Sequence, residues 1–321
     1  MWQIFAALWL LVNLADWIFA HTQFWQLTSI VPTPIFVLVD IILLSIGIIN
    51  ADLLVIILSV LSFLAQLPYL DINWRPKRTS IISDSTLKIF DWNTLFWHKD
   101  EQELADFLHS QNADIYHLQE AWLKSLKTYD ISLFVEKYFP GFNFAQNKDV
   151  ATISKLPINQ VIKGTNCLHF GCWLRVDVEW QGQNISLYNV HMPVPFEIAY
   201  LFRPRMFYKY WRIFQSGREL MTLELSQQLQ SNQNPLVITG DFNTIKRQPP
   251  IRDLLSVLEE AGGFGDEVFP ITLKAFKKLS LWRVDWVLLR GLKPLNYSRQ
   301  KYTPISDHYP ILVEVTLPKQ A

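Results

Sequence analysis

The first 70 residues contain no lysine or arginine and only three acids, Asp16, Asp40 and Asp52. Residues 1–20 are apolar except for Gln3, Asn13 and Asp16, and a helix of that length reaches about 30 Å, the thickness of a hydrocarbon core. A second apolar stretch, Ile35 to Leu70, is too long for one span and is interrupted at Asn50-Ala51-Asp52. Splitting it there gives segments near Val31–Ile49 and Leu53–Leu70, joined by a tight hairpin. Trp2, Trp17, Trp25 and Trp74 fall near the ends, where indole rings prefer the headgroup region. Residues 1–70 are therefore expected to form about three transmembrane helices. A cleaved signal peptide is the alternative for the first, although it lacks a basic leading region and an obvious small-residue cleavage site. A buried core helix pair is the alternative for the hairpin.

Over the whole chain, 29 basic groups balance 29 acidic ones. That balance argues against a protein that coats polyanions through excess charge, while leaving a local basic groove open. Charged residues make up 18% and hydrophobic ones 50%, which excludes disorder. Two cysteines, Cys167 and Cys172, are too few for a four-thiolate zinc site or a disulfide framework and can form at most one bridge. Arg75, Lys77 and Arg78 follow the last apolar segment. By the positive-inside tendency they place the large domain in the cytoplasm of a multi-pass protein of the bacterial inner-membrane type. An extracytoplasmic domain with a Cys167–Cys172 bridge stays open.

Residues 71–85 read as a linker and 86–321 as one folded domain. Short runs rich in Val, Ile and aromatics predict strands at Leu87–Trp92, Ile115–Leu118, Ala151–Ser154, Trp173–Trp180, Ile185–Val190, Leu236–Thr239, Val284–Leu289 and Ile311–Leu317. Helical patterns cover Glu101–Gln111, Trp122–Tyr138, roughly Tyr208–Gln230 and Pro250–Ala261. Strands mixed with helices around one large core predict an α/β layered sandwich.

Polar groups cluster at the edges of these strands: Asn93 follows the first in "LKIFDWNT", Glu120 the second in "DIYHLQE", His191 ends "ISLYNVH", Asp241 and Asn243 end "PLVITGDFN", Asp285 lies in "RVDWVLL", and Asp307-His308 precede the last strand in "SDHYPILVEV". Carboxylates gathered on one rim repel unless a cation sits among them. Oxygen donors without thiolates select a hard ion, Mg²⁺ or Mn²⁺.

In this order the motifs resemble the endonuclease/exonuclease/phosphatase superfamily, which includes pancreatic deoxyribonuclease, abasic-site endonucleases, inositol polyphosphate 5-phosphatases and neutral sphingomyelinases. The resemblance covers about residues 85–318. It implies a four-layer α/β sandwich with two central mixed β-sheets and a divalent metal at their shared edge. Carried over by position, it implies that Glu120 is the main metal ligand, with Asn93 beside it and Asp307 either completing the set or supporting it from just outside. It makes Asp241 the group that orients or deprotonates the attacking water, and Asn243 the amide that holds phosphate or that water. His308 would contact the phosphate, with Asp285 accepting its other ring proton, and His191 would stabilise the pentacovalent oxyanion or assist the leaving group. Leu95 stands where abasic endonucleases carry an aspartate, so that repair activity is not implied.

Residues 196–215 interleave eight aromatics with Arg203, Arg205, Lys209 and Arg212, against one acid, Glu197. Such a segment can stack nucleobases or lie in a bilayer interface, and Arg203, Arg205 and Trp211 are its candidate contact residues. It can also simply pack under the sandwich or against the spans. A membrane anchor raises the effective concentration of membrane substrates. The expected function is thus hydrolysis of a phospholipid or lipid-linked phosphate, with a bilayer as partner. A membrane-tethered nuclease and a non-catalytic binding module are the alternatives.

Overall fold

The computed structural model describes residues 1–321 except 74–85, 98–99, 123–127, 168–170, 197, 276–278, 302–304 and 319–321. Most of the expected linker, with Trp74 and the Arg75, Lys77 and Arg78 cluster, lies outside the described residues, as does Glu197.

The apolar region forms three helices, α1 (Trp2–Phe19), α2 (Thr33–Ile49) and α3 (Leu53–Gln66). Among the described helices, α1 alone has the length and hydropathy to cross a membrane, while α2 and α3 are shorter apolar helices. Asp52 ends the hairpin by accepting the Val55 N–H at the start of α3 and the Gln3 side chain at 3.0 Å. The bundle carries its polar groups inward. Asp40 accepts from Trp9 Nε1 at 2.9 Å and from Gln66, and Asn13 Nδ2 donates to Ser62 Oγ at 3.0 Å. Outward stand exposed Ile4, Leu8, Ile18, Ile41, Ile49, Leu53 and Leu64.

The remaining chain builds two six-stranded sheets. Those in the first are β1 (Leu87–Asn93), β2 (Ile115–Gln119), β3 (Asn143–Asn147), β4 (Val150–Ser154), β13 (Lys293–Arg299) and β14 (Ile311–Thr316), in the order β13-β14-β1-β2-β4-β3. The second comprises β5 (Ile158–Lys163), β6 (Cys172–Trp180), β7 (Gln183–His191), β8 (Leu236–Asp241), β9 (Glu259–Glu260) and β12 (Asp285–Arg290), in the order β5-β6-β7-β8-β12-β9. A hairpin of β10 (Leu273–Ala275) and β11 (Leu279–Trp282) stands apart. Both sheets are mixed, since β1–β2 and β7–β8 are parallel and the other pairs antiparallel.

The sheets face each other across Ile89, Ile115, Val176, Leu187, Val237, Val287 and Val313. Helices α4 (Glu101–Gln111) and α5 (Ser132–Tyr138) cover the outside of the first sheet through Leu104, Leu108 and Phe134. Helix α6 (Pro204–Ser231), with the short α7 (Ile251–Leu254), covers the second through Met221, Leu225 and Leu254. This is the expected four-layer α/β sandwich.

Two expected helices are shorter than their patterns. In the Trp122–Tyr138 pattern the described helix begins only at Ser132, whose N–H bonds Asp130 Oδ1 at 2.9 Å, and residues 123–127 lie outside the described residues. The Pro250–Ala261 pattern ends at Leu254, because Glu259 and Glu260 leave it to pair with β12 as an edge strand.

The bundle and the sandwich are joined tightly. Arg247 is fully buried and donates Nε to Asp16 Oδ2 at 3.0 Å, with its guanidinium over the Phe36 ring. Beyond α3, Asp71 pairs with Arg283 at 2.8 Å, and Asn73 Nδ2 donates to the Gly262 and Glu267 carbonyls.

Candidate active site

Strand register explains why distant motifs meet. On the second sheet His191 pairs with Asp241 across β7–β8, and Asp285 pairs with Asp241 across β8–β12, so the three form one row at the strand ends. Gly240 makes that row possible. Its φ is +139°, and a Cβ there would meet the Val190 carbonyl oxygen at 1.8 Å. On the first sheet Asn93 pairs with Gln119, and Glu120 follows with φ +51°, a left-handed conformation that costs a non-glycine residue about 1 kcal/mol. Thr94 holds that turn, its N–H and Oγ1 both donating to the Gln119 carbonyl at 2.9 Å.

The two rows are stitched by Asn93, whose Nδ2 donates to Glu120 Oε1 at 3.1 Å and to Asp241 Oδ2 at 3.0 Å. Asn243 holds Asp241 from the other side. Its N–H reaches Oδ1 at 2.8 Å and its Nδ2 reaches Oδ2 at 3.0 Å. Two imidazoles face the same carboxylate, with His191 Nε2 and His308 Nε2 each 3.7 Å from Asp241 Oδ2. Each is held from behind: His308 Nδ1 lies 2.9 Å from Asp285 Oδ2, and His191 Nδ1 lies 2.5 Å from Asp149 Oδ2. Ser306 braces the last loop by donating to the Asn93 carbonyl at 2.7 Å and accepting the His308 N–H.

Burial and neighbouring charge compete here. Burial disfavours the charged form of His191, but Asp149, Asp241 and Glu120 outweigh it and hold the imidazole up at about 9. His308 is likewise desolvated yet raised well above the ordinary histidine range by Asp285 and Asp241. Glu120 is pushed up by burial, with His191 opposing. Asp241 is pushed up by burial and by Asp285, with His308 opposing between them.

Asp241, Asp285 and His308 offer ligand atoms within 4.8 Å of one another. Those donors are largely spent on each other, however, because His308 Nδ1 is committed to Asp285. Among the described residues, buried carboxylate oxygens at the rim without a partner include Glu120 Oε2 and Asp307 Oδ1, the latter 4.0 Å from His308 Nε2. An unpaired buried carboxylate oxygen costs free energy unless a cation or donor meets it, so this oxygen-rich set fits a hard divalent ion.

Asn93, Glu120, His191, Asp241, Asn243, Asp285, Asp307 and His308 thus share one rim. Arg203, Arg205 and Trp211 do not join it. The two arginines are exposed at the N-terminal end of α6, where Trp211 packs near Tyr208 and Phe202 is 93% exposed. Sequence reasoning missed Asp149, which reads as a hairpin-turn residue between β3 and β4. It also missed Arg218, which lies buried in α6 and ties the loops after β7 and β8 together by donating to the Pro193 carbonyl and Thr244 Oγ1. Cys167 and Cys172 are joined by a disulfide.

The model of the Endonuclease/Exonuclease/phosphatase family matches residues 92–308. The chain belongs to this family, a group of hydrolases acting on phosphoester bonds. Solved structures share the fold at low identity. An endonuclease/exonuclease/phosphatase family protein from Leptotrichia buccalis is 18% identical, with 72% of this chain and 100% of that one covered and a TM-score of 0.52. TDP2 of D. rerio, complexed with a single-strand DNA product, is 15% identical over 73% and 100%, with a TM-score of 0.53. A mannosyl-6-phosphatase from Bacteroides thetaiotaomicron is 14% identical over 72% and 100%, also at 0.53. No curated protein matches the sequence.

Proposed function

We propose that the protein is a membrane-anchored, Mg²⁺- or Mn²⁺-dependent phosphoesterase whose substrate is a phospholipid or lipid-linked phosphate. The observation that carries the chemistry is the convergence on Asp241 Oδ2 of Asn93, Asn243, His191 and His308. Glu120, through its unpartnered Oε2, with Asp307 and Asn93 would hold the metal. When bound, the ion polarises the phosphoryl oxygens.

The chain's own groups supply the rest. Asp241, held by two bonds from Asn243 and raised above the usual carboxylate range, is suited to orient a water and accept its proton as the new O–P bond forms. His308, fixed by Asp285, and His191, fixed by Asp149, present cationic N–H groups where charge grows on the nonbridging oxygens or on the leaving oxygen. The buried, desolvated setting makes each of these contacts stronger than in water.

The membrane reading is supported by the bundle's inverted pattern. Asn13, Asp16, Asp40, Ser59, Ser62 and Gln66 are buried while large aliphatic side chains point outward, the arrangement that lipid stabilises and water does not. On this reading α1, α2 and α3 all sit in the bilayer, with the shorter pair accommodated by mismatch. The basic cluster after α3 favours a cytoplasmic domain, whereas a Cys167–Cys172 bridge favours an oxidising compartment. The exposed aromatic and basic start of α6 supports the second reading, a tethered nuclease.

The deciding experiment uses purified full-length protein with Mg²⁺. Release of headgroup or phosphate from labelled liposomes is expected, with little cleavage of single- or double-stranded oligonucleotides. Cleavage confined to oligonucleotides would select the nuclease.

A further inference from the structure

Where the bundle meets the sandwich, an apolar groove of about 220 Å³ opens beside the rim. One wall is the face of α2 carrying Thr33, Val37 and Ile41. The other is formed by Phe269, Ile271 and Leu281. The α2 wall extends about 12 Å, from the helix end nearest the sandwich towards the outward-facing aliphatic surface of the bundle. Leu38 and Ile41 belong both to the groove and to that exposed surface, at 48% and 53% exposure.

Among the described residues, the charged groups lining the groove are Asp71 and Arg283, paired at 2.8 Å, with Glu260 also on the guanidinium. The rest of the described lining is aliphatic, aromatic or proline apart from Thr33, so it suits an apolar occupant better than a polar peptide. It is also too small for an α-helix, whose diameter with side chains is about 10–12 Å. A flexible alkyl chain fits both limits.

The groove shares its wall with the rim. Thr272, next to Ile271, accepts the Val284 and Asp285 N–H groups on Oγ1 at 3.0 and 3.1 Å, and its carbonyl accepts the Tyr309 N–H at 2.7 Å. Leu273 bridges to His308. Ile245, which also lines the groove, lies two residues beyond Asn243.

From this continuity we infer that the groove receives an acyl or prenyl chain of the substrate, drawn up along α2 from the bilayer so that its phosphate is presented at the rim. The inference rests on the membrane-lipid reading above and adds to it the place where the chain binds and the residues that select it.

The test uses full-length protein in lipid nanodiscs containing a diazirine-bearing phosphatidylglycerol. Photolabelling is expected on peptides spanning 33–41 and 269–271 and is expected to be lost in Val37→Trp, which fills the groove. Labelling confined to the outer faces of the bundle, unchanged in Val37→Trp, overturns the inference. In parallel, Val37→Trp should lower kcat/KM for dioleoyl phospholipid by about tenfold, the equivalent of roughly two buried methylene groups. Turnover of chain-free bis-p-nitrophenyl phosphate should be spared. An equal fall for both substrates, or no fall for either, also overturns it. Leu38→Trp, at the exposed lip, is the second variant should Val37→Trp not fold. If the wild type hydrolyses no phosphoester at all, the proposed function fails, and the photolabelling still decides the groove.

Discussion

Arg247 and Asp16 form a buried ion pair between the loop that follows Asn243 and the first apolar helix, with Nε 3.0 Å from Oδ2. Both side chains are almost fully excluded from solvent, and Gln248 donates to the second Asp16 oxygen at 3.1 Å. A charge left alone at this depth is expensive, so each residue depends on the other. The pair makes the helical bundle part of the frame on which the rim is built.

Removing one partner should therefore unsettle both bodies. Asp16→Ala or Arg247→Ala is expected to cost about 3–5 kcal/mol, the usual range for breaking a buried pair. Thermal unfolding in detergent reads this loss. The double variant Asp16→Leu with Arg247→Met should recover much of it, since no buried charge is then stranded. No recovery would mean that the pair's geometry, rather than its charge balance, holds the junction.

At the rim, Glu120→Ala and His308→Ala should each lower kcat by about 10²–10³-fold or more while leaving the far-ultraviolet circular dichroism unchanged. Chelation by EDTA should stop turnover by the wild type, and added Mg²⁺ should restore it. Near-normal rates in both variants would remove Glu120 and His308 from the chemistry.

Asp149 touches His191 and lies behind it, so its effect is that of a positioning residue. Asp149→Asn keeps the shape and loses the charge that holds the imidazole cationic, and a fall of about 10–100-fold in kcat is expected with KM little changed. The carboxylate-preserving variant Asp149→Glu should recover part of the rate. A variant changed only in thermal stability would assign Asp149 to the fold alone.

His117 lies between the sheets, with Nδ1 2.7 Å from Thr239 Oγ1 and Nε2 without a partner. Burial depresses its imidazole to about 3. Between that value and the unfolded value near 6.5 the unfolded chain binds the extra proton, so stability is present above about 6.5 and drains away as pH falls. The limiting slope is about 1.4 kcal/mol per pH unit. His117→Gln should lose less stability than the wild type on acidification from pH 6.5 to 4, as followed by chemical denaturation at each pH.

The central strands were legible because each carries a run rich in apolar residues, several with an acid, amide or imidazole at one end, as in Leu87–Asn93 and Leu236–Asp241. Strands β3, β5 and β13 were not. Their sequences, "NFAQN", "INQVIK" and "KPLNYSR", lie at or beside sheet edges and mix buried with exposed positions, so they carry no continuous apolar signal. The rim residues could be listed from motif order, but their convergence depends on cross-strand register, such as Asp285 against Asp241, which periodicity alone does not fix. Asp149 was invisible for a related reason. Its partner His191 is 42 positions away, and a single acid beside Lys148 is ordinary turn chemistry.

The contacts of Asp71, Asn73 and Arg247 hold the helical bundle against the catalytic head. On the proposed membrane reading, a head held in this way would work at one height above the bilayer and meet molecules that diffuse laterally to it. Its velocity would then follow the mole fraction of substrate in the surface, falling when inert lipid is added at constant bulk concentration, the surface-dilution behaviour of an enzyme confined to two dimensions.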